Sequence, residues 1–263
     1  MGVPIINAAE FAAFVLVLLR LSMIVVVAPI YRNSAVPAQV KALLVLMLTF
    51  VVAPGVEYSA EMMPMSILGF IVLALGELFI GAALGFMVRV VLDSANVAGF
   101  YMSMQMGLSM LNTMDPQSDT QAPTLAMLVN LFLTLIFLYA DGHLLIIKAV
   151  VDSFKVAPPG LLNTWRPEIF TEVILAMTGM YILAVKICAP VVCILFVVKV
   201  AFGIVAKAVP QMNIMFVGIP MYILIGFSVM GFGMPWWPQL LGRYLLIADQ
   251  AMSRVISYLG PSI

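Results

Sequence analysis

Long apolar runs separated by short polar joints dominate the pattern of hydrophobic and polar positions along the chain. The six runs cover about residues 11–29, 40–54, 66–92, 125–140, 173–198 and 214–233. A helix needs about 20 apolar residues to cross the hydrocarbon core of a bilayer. The run 40–54 is short by that measure, so it borrows residues from the preceding turn or lies in a protein-lined environment. The pattern predicts an all-α membrane protein.

Three further segments extend this pattern. Residues 143–155 either lengthen the fourth helix or form a separate amphipathic helix. The stretch 93–124 is too long and too apolar for an ordinary loop. The tail 238–259 predicts a helix at an interface, because its apolar residues recur at helical spacing. Those residues are Leu241, Leu245, Ala248, Met252 and Ile256.

Charged residues in the joints predict an orientation. The connections 30–41 and 199–213 carry only basic residues, and the connection 55–65 carries only acidic ones. The residues concerned are Arg32, Lys41, Lys199 and Lys207 on the basic side, and Glu57 and Glu61 on the acidic side. Cytoplasmic loops are enriched in Lys and Arg, so the two basic connections are predicted to be cytoplasmic. Both ends of a six-span model then lie outside.

Composition narrows the class of protein. Hydrophobic residues make up 64% of the 263 residues, charged residues make up 9%, and the mean hydropathy is +1.17. Soluble domains have about a quarter charged residues, so most of this surface must meet lipid or equally apolar partners. The formal net charge is zero, which gives no support for a nucleic-acid partner or a polybasic membrane anchor.

Three charges fall near the middle of apolar runs: Arg20, Glu77 and Lys186. Each would cost about 2.5–3.5 kcal/mol at the centre of a lipid-facing helix. We therefore expect other protein or water, rather than lipid, around these side chains.

The segment 76–89 predicts a closely packed helix. Gly81 and Gly85 form a small-xxx-small pair, which lets two helix backbones approach each other. Glu77 precedes Gly81 by four residues and Arg89 follows Gly85 by four, so polar and small groups share one stripe. The charges either pair with neighbouring chains for structure, or gate a path or sense protons.

A methionine-rich segment follows. Its methionines are Met102, Met104, Met106, Met110 and Met114, interleaved with Gln105, Gly107 and other small or polar residues. Methionine is unbranched and adapts to irregular partners. The segment either closes a channel softly or fills gaps in an ordinary core, and Asp115-Pro116 ends it with a predicted turn.

Candidate chemistry is sparse. His143 is the single histidine, and with Asp141 beside it the pair falls short of the three or four ligands of a metal site. A hydrogen-bonded structural histidine at a helix joint is the better interpretation. No nucleophile elbow, zinc-protease motif, phosphate loop or dinucleotide fingerprint occurs in the sequence. We expect no enzyme activity and no cofactor.

Several features recur in a fixed order along nearly the whole chain. They are Arg20, Pro29, Val36-Pro37, Lys41, Pro54, Glu77, Gly81, Gly85, Gly99, Gln105, Gly107, Asp115-Pro116, Asp141-Gly142-His143, Ala201, Gly203, Pro210-Gln211-Met212-Asn213, Phe216, Gly218 and Pro220. Read together, they resemble the FliR family, the R-type subunit of the flagellar and virulence type III export gate. The forms Pro-Gln-Met-Asn and Asp-Gly-His favour the flagellar branch.

The resemblance implies a P-type-like helical region at 1–170, with a Met-rich plug at about 100–116, and a Q-type-like hairpin and tail at 171–263. It implies long, tilted helical hairpins that assemble with P-type (FliP) and Q-type (FliQ) subunits into a helical pore complex. That complex belongs to the flagellar basal body in the bacterial inner membrane, in contact with membrane lipid, and unfolded proteins pass through it.

Two residue roles follow from the resemblance alone. The segment around Met102–Met114 is similar to the plug of the closed pore. The turn containing Lys207, Pro210, Gln211 and Asn213 resembles the part that meets the B-type switch protein (FlhB) at the cytoplasmic entrance.

The implied mechanism is passive conduction through a closable gate, driven by other components and without nucleotide. Two rivals remain open at this point. A secondary transporter or ion channel would show ionisable groups beside broken helices in corresponding halves. A purely structural scaffold would pack helices without lining the path.

Overall fold

The computed structural model describes residues 8–27, 37–57, 66–108, 124–160, 166–209, 211 and 214–260. This part of the chain is helical, with no strand in it, which confirms the predicted all-α class. Its α-helices are α1 (Ala8–Val27), α2 (Ala38–Val52), α3 (Ile67–Met106), α4 (Thr124–Tyr139), α5 (Gly142–Val156), α6 (Pro167–Ala208), α7 (Ile214–Gly233) and α8 (Trp237–Leu259). Short 3₁₀ turns follow α2 and α7 at Ala53–Gly55 and Met234–Trp236.

The predicted apolar runs correspond to helices of membrane-spanning length. Five helical segments are long and apolar enough to cross a bilayer, and α4 with α5 makes a sixth if that bent pair counts as one span. The bend between α4 and α5 is 63°. Asp141 adopts a left-handed conformation at this joint (φ 55°), so residues 143–155 form a separate helix rather than an extension. The chain is a multi-pass membrane protein.

Two helices are longer than their apolar runs predict. The run 66–92 continues as α3 to Met106, so most of the first half of the stretch 93–124 is helix. Polar side chains in this part are satisfied without leaving the helix: the Ser94 hydroxyl donates to the Val91 carbonyl at 2.6 Å. The helix therefore continues to Met106. It ends before Gly107, whose φ of 79° is readily adopted only by glycine.

The run 173–198 likewise extends in both directions, and α6 covers 42 residues. Pro167 opens α6, where its missing N–H costs nothing. Lys199 and Lys207 lie on this helix, so the predicted connection 199–213 is wrong over most of its length. The physical reason is that lysine has good helix propensity, and a charge in an apolar run does not end a helix. Lys41 is similarly part of α2.

The chain forms two compact units. The first comprises residues 1–90, 141–177 and 245–263, and its core includes Leu16, Leu84 and Ile169. The second comprises residues 91–140 and 178–244, and its core includes Met102, Leu133 and Leu183. These units differ from the division at 170/171, which comes from likeness to other subunits and stays a prediction.

The tail forms α8, close to its predicted range. The predicted apolar residues of the tail are all buried, from Leu241 at 1% exposure to Ile256 at 7%. Elsewhere the helices leave much apolar surface open. Ile67, Phe216 and Phe232 are each more than 80% exposed. Such side chains require lipid or partner subunits around them.

Candidate functional site

A buried charge network lies in the first compact unit. Arg20, on α1, has no solvent exposure, and its guanidinium donates from Nε to Glu77 Oε2 on α3 at 2.5 Å. It also donates to the Ser153 hydroxyl at 3.1 Å and to the Ala157 carbonyl at 3.0 Å. The Phe154 ring covers the guanidinium at 4.2 Å from its centroid. The network therefore ties α1, α3 and the end of α5 together.

The glycine stripe of α3 lies directly against α1. A Cβ atom on Gly81 would come within 2.5 Å of the Arg20 carbonyl oxygen, and one on Gly85 within 3.1 Å of the Val27 Cβ. This close approach brings Glu77, one helical turn before Gly81, within reach of Arg20. Arg89 is half-buried farther along α3.

Lys186 is placed differently from Arg20 and Glu77. Its side chain is exposed on α6, in the second compact unit, and its Nζ lies 5.4 Å from the centroid of the Tyr244 ring. Protein surrounds Arg20 and Glu77, whereas the expectation of protein or water rather than lipid around the exposed Lys186 stays a prediction. Arg20 and Glu77 are buried and pair with each other, whereas Lys186 lies against an aromatic ring.

The first half of the Met-rich segment is helix rather than loop. Met102 and Met106 are fully buried on α3, whereas Met104 is half-exposed. The helix ends just before Gly107. Met110, Met114 and Asp115-Pro116 lie outside the described residues.

The end of α3 is held by α6 and α7 within the second unit. The Lys199 ammonium on α6 donates to Gln105 Oε1 at 2.6 Å, and it lies 5.7 Å from the centroid of the Tyr222 ring on α7. Met106 packs against Gly226 so closely that a Cβ there would meet its Cε at 2.5 Å. Gly107 lies beside Ile219.

The predicted cytoplasmic turn is partly described. Lys207 and Gln211 are exposed near the end of α6, and Pro210 and Asn213 lie outside the described residues. An exposed position of this kind is accessible to a partner.

His143 lines an apolar cavity of about 160 Å³ in the first unit, bounded by α1, α2 and α5. Its Nδ1 atom is buried and has no hydrogen-bond partner. The prediction of a hydrogen-bonded histidine is therefore wrong at this atom. Among the described residues no group of three or more His, Cys, Asp or Glu side chains is arranged to hold a metal ion.

Comparison with known proteins decides the family. The model for bacterial export proteins, family 1, matches residues 11–246. Proteins named flagellar biosynthetic protein FliR are similar over most of their length. The Escherichia coli (strain K12) protein is 31% identical over 220 residues, or 83% of this chain and 82% of that protein. The Bacillus subtilis (strain 168) protein is 30% identical over 228 residues, or 84% of this chain and 85% of that protein. The chain belongs to the FliR family of bacterial export proteins.

Two side-chain pairs of this FliR-family chain were not predicted from its sequence. Arg254 on α8 makes a bidentate pair with Glu172 on α6, at 2.8 and 2.9 Å. Because the partners are 82 residues apart, no local spacing indicates the pair. Asn130 on α4 donates to Asn96 on α3 at 3.1 Å. Asn130, a polar amide inside the apolar run 125–140, was a usable signal for this second pair.

Proposed function

We propose that this chain is one subunit of the inner-membrane gate of the flagellar type III export apparatus. The observation that carries this proposal is the family match over residues 11–246, together with FliR relatives that are aligned over more than four-fifths of their length. These relatives are components of an export apparatus, and neither the match nor the relatives favour a secondary transporter.

The surface of the chain supports a role inside an assembly. Helices of both compact units carry exposed apolar residues, including Val51 on α2 and Phe232 on α7. We propose that P-type (FliP) and Q-type (FliQ) subunits cover part of this surface and that lipid covers the rest. The B-type protein (FlhB) contacts the exposed turn at Lys207 and Gln211.

We propose further that the chain forms part of the pore through which unfolded flagellar proteins leave the cell. Met102 and Met106, in the first half of the Met-rich segment, are fully buried near the end of α3, and this helix ends just before Gly107. Methionine side chains adapt to irregular partners, so this segment suits a plug that closes the empty pore or seals around a passing polypeptide. In this role the chain conducts its substrates and catalyses no reaction.

The test is deletion of residues 110–114, which spares the buried Met106. We expect several-fold greater leak of small ions through assembled gates in vesicles, with co-purification of the P-type and Q-type subunits unchanged. The matched control replaces residues 110–114 with five residues of Ser and Gly, which keeps the length and removes the methionines. A deleted gate that assembles and stays impermeable would contradict the plug.

A further inference from the structure

The cavity beside His143 lies between α1, α2 and α5, within the first compact unit. We propose that it receives a tyrosine side chain of a neighbouring export-gate subunit, whose hydroxyl forms a hydrogen bond with Nδ1 of His143. This inference rests on the proposed function, because it requires partner subunits to assemble around the chain.

The cavity presents one polar residue in an apolar wall. Of the described residues that line it, His143 is the only polar one, and the other ten are Leu, Ile and Val. Nδ1 of His143 is buried without a hydrogen-bond partner, and no other buried side-chain nitrogen or oxygen in the described part of the chain lacks one. An unpaired buried polar atom is unfavourable, so this atom indicates a ligand that brings a hydrogen-bonding group.

The walls and the polar atom together restrict the class of ligand. A buried water needs about two to four polar partners, and the described side chains of the wall offer only His143. A lipid tail suits the walls but leaves Nδ1 unpaired. A hydroxyl on an apolar body satisfies both. Because a hydroxyl donates and accepts, it can pair with Nδ1 in either tautomer of the neutral imidazole.

The size of the cavity suits one aromatic ring. Its volume is about 160 Å³. An apolar cavity of about 150 Å³, engineered in another protein, binds benzene. The tyrosine side chain ends in a benzene ring that carries one hydroxyl, so it matches the volume, the walls and the polar atom together.

The rim of the cavity indicates that this ring belongs to another protein. Ile147 lines the cavity and is 44% exposed, so the cavity reaches the surface of the chain. Neighbouring positions of α2 and α5 carry further exposed apolar side chains: Leu43, Met47 and Leu144. Apolar surface of this kind packs against a partner, and tyrosine is enriched among the residues that anchor protein interfaces.

The first test measures the site with p-cresol, which is a tyrosine side chain without its backbone. The chain is purified alone in mild detergent, and calorimetry gives its Kd for p-cresol and for toluene, which lacks the hydroxyl. His143→Leu should weaken p-cresol binding about three- to tenfold, the usual effect of losing a neutral hydrogen bond, and leave toluene binding unchanged.

His143→Asn is the matched control for His143→Leu. Asn and Leu are similar in size, but the Asn amide keeps a polar atom close to the position of Nδ1, so this variant should bind p-cresol nearly as the wild type does. The comparison is made in one detergent, so partition of the ligand into micelles is the same for every variant. Equal p-cresol binding by His143→Leu and the wild type would overturn the site.

The second test identifies the occupant in the assembled gate. A diazirine amino acid replaces Ile147 on the rim, and the gate is co-purified with its P-type and Q-type subunits and irradiated. Mass spectrometry should find a crosslinked peptide of one of these subunits that contains a tyrosine. The same amino acid at Lys148, which is exposed on α5 but does not line the cavity, should not give this peptide.

A double-mutant cycle then joins the identified tyrosine to His143. Replacement of that tyrosine by Phe and His143→Leu should each lower the detergent concentration at which the subunits separate. Because both changes remove the same hydrogen bond, the double variant should separate no more readily than the weaker single variant. Additive effects would show that the two side chains do not interact.

The outcomes separate this site from the proposed function. A gate that co-purifies but crosslinks at position 147 only to lipid, to this chain or to a peptide without tyrosine would overturn the inference and leave the proposed subunit role standing. A chain that binds p-cresol through His143 but does not co-purify with P-type and Q-type subunits would overturn the proposed function, and the tyrosine contact with it.

Discussion

Arg20 and Glu77 show how a chain of apolar helices accommodates full charges. Arg20 is fully buried and Glu77 is nearly so, and the guanidinium uses Nε and both terminal nitrogens in hydrogen bonds. Desolvating two ions is costly, and the cost is recovered only when geometry and hydrogen bonding are both favourable. Here both conditions are met. We infer that this pair is structural and that removal of one partner leaves the other stranded.

The first prediction at this scale concerns single and paired removal of these charges. Arg20→Met should lower the free energy of unfolding by about 3–5 kcal/mol, because it leaves the Glu77 carboxylate buried without its partner. The double variant Arg20→Met, Glu77→Met should recover much of that loss. Thermal unfolding in a mild detergent measures both effects, and Lys186→Met serves as the exposed control. Equal stability of the single variant and the wild type would contradict this account.

Packing between α1 and α3 depends on the absence of side chains at two positions. Gly81 and Gly85 lie one turn apart on α3 and meet the backbone or Cβ atoms of α1. A backbone oxygen cannot move aside as the end of a flexible side chain can, so a larger residue at position 81 must push the helices apart. The same displacement would pull Glu77 away from Arg20.

Gly81→Ala should therefore destabilise the chain by about 1–3 kcal/mol, the usual cost of overpacking. Gly203→Ala on α6 is the matched control. A Cβ there meets nothing within 4 Å, and alanine favours a helix by about 1 kcal/mol over glycine. Melting of the two variants side by side in detergent gives the comparison. A Gly81→Ala chain that melts with Gly203→Ala would show that the close approach carries no energy.

Element lengths were predicted less well than element positions. Each apolar run contains a helix, but α3 and α6 extend well beyond the runs that predicted them. Helix ends depend on local backbone geometry and on whether polar side chains find partners. At Ser94 and Lys199 those partners are supplied by the helix itself or by another helix, and hydropathy cannot register either.

The whole molecule exposes far more apolar surface than a monomer in water tolerates. The exposed side chains lie on most of the helices, including the 42-residue α6. The two cysteines of α6 can be used to measure how accessible this surface is, because Cys193 is exposed and Cys188 is buried within the chain. The pair offers a native probe and its control.

The prediction at this scale concerns maleimide labelling. In the chain purified alone in mild detergent, Cys193 should label and Cys188 should not, because access limits thiol reactivity. In a gate co-purified with P-type and Q-type subunits, labelling of Cys193 should fall several-fold as partners cover α6. Mass spectrometry of the labelled peptides gives both rates. Equal labelling of Cys193 in the two states would place this face of α6 outside the subunit interfaces.

The sequence by itself determined that the chain is helical, multi-pass and free of recognisable catalytic motifs, because hydropathy and motif spacing are properties of short windows. It also carried the family resemblance, since the order of Pro-Gln and Asp-Gly-His motifs is visible without coordinates. Only the tertiary structure decided that Arg20 meets Ser153 and that Lys199 meets Gln105. Those partners are 133 and 94 residues apart. Interactions at such separations depend on how whole helices pack, and no local pattern encodes them.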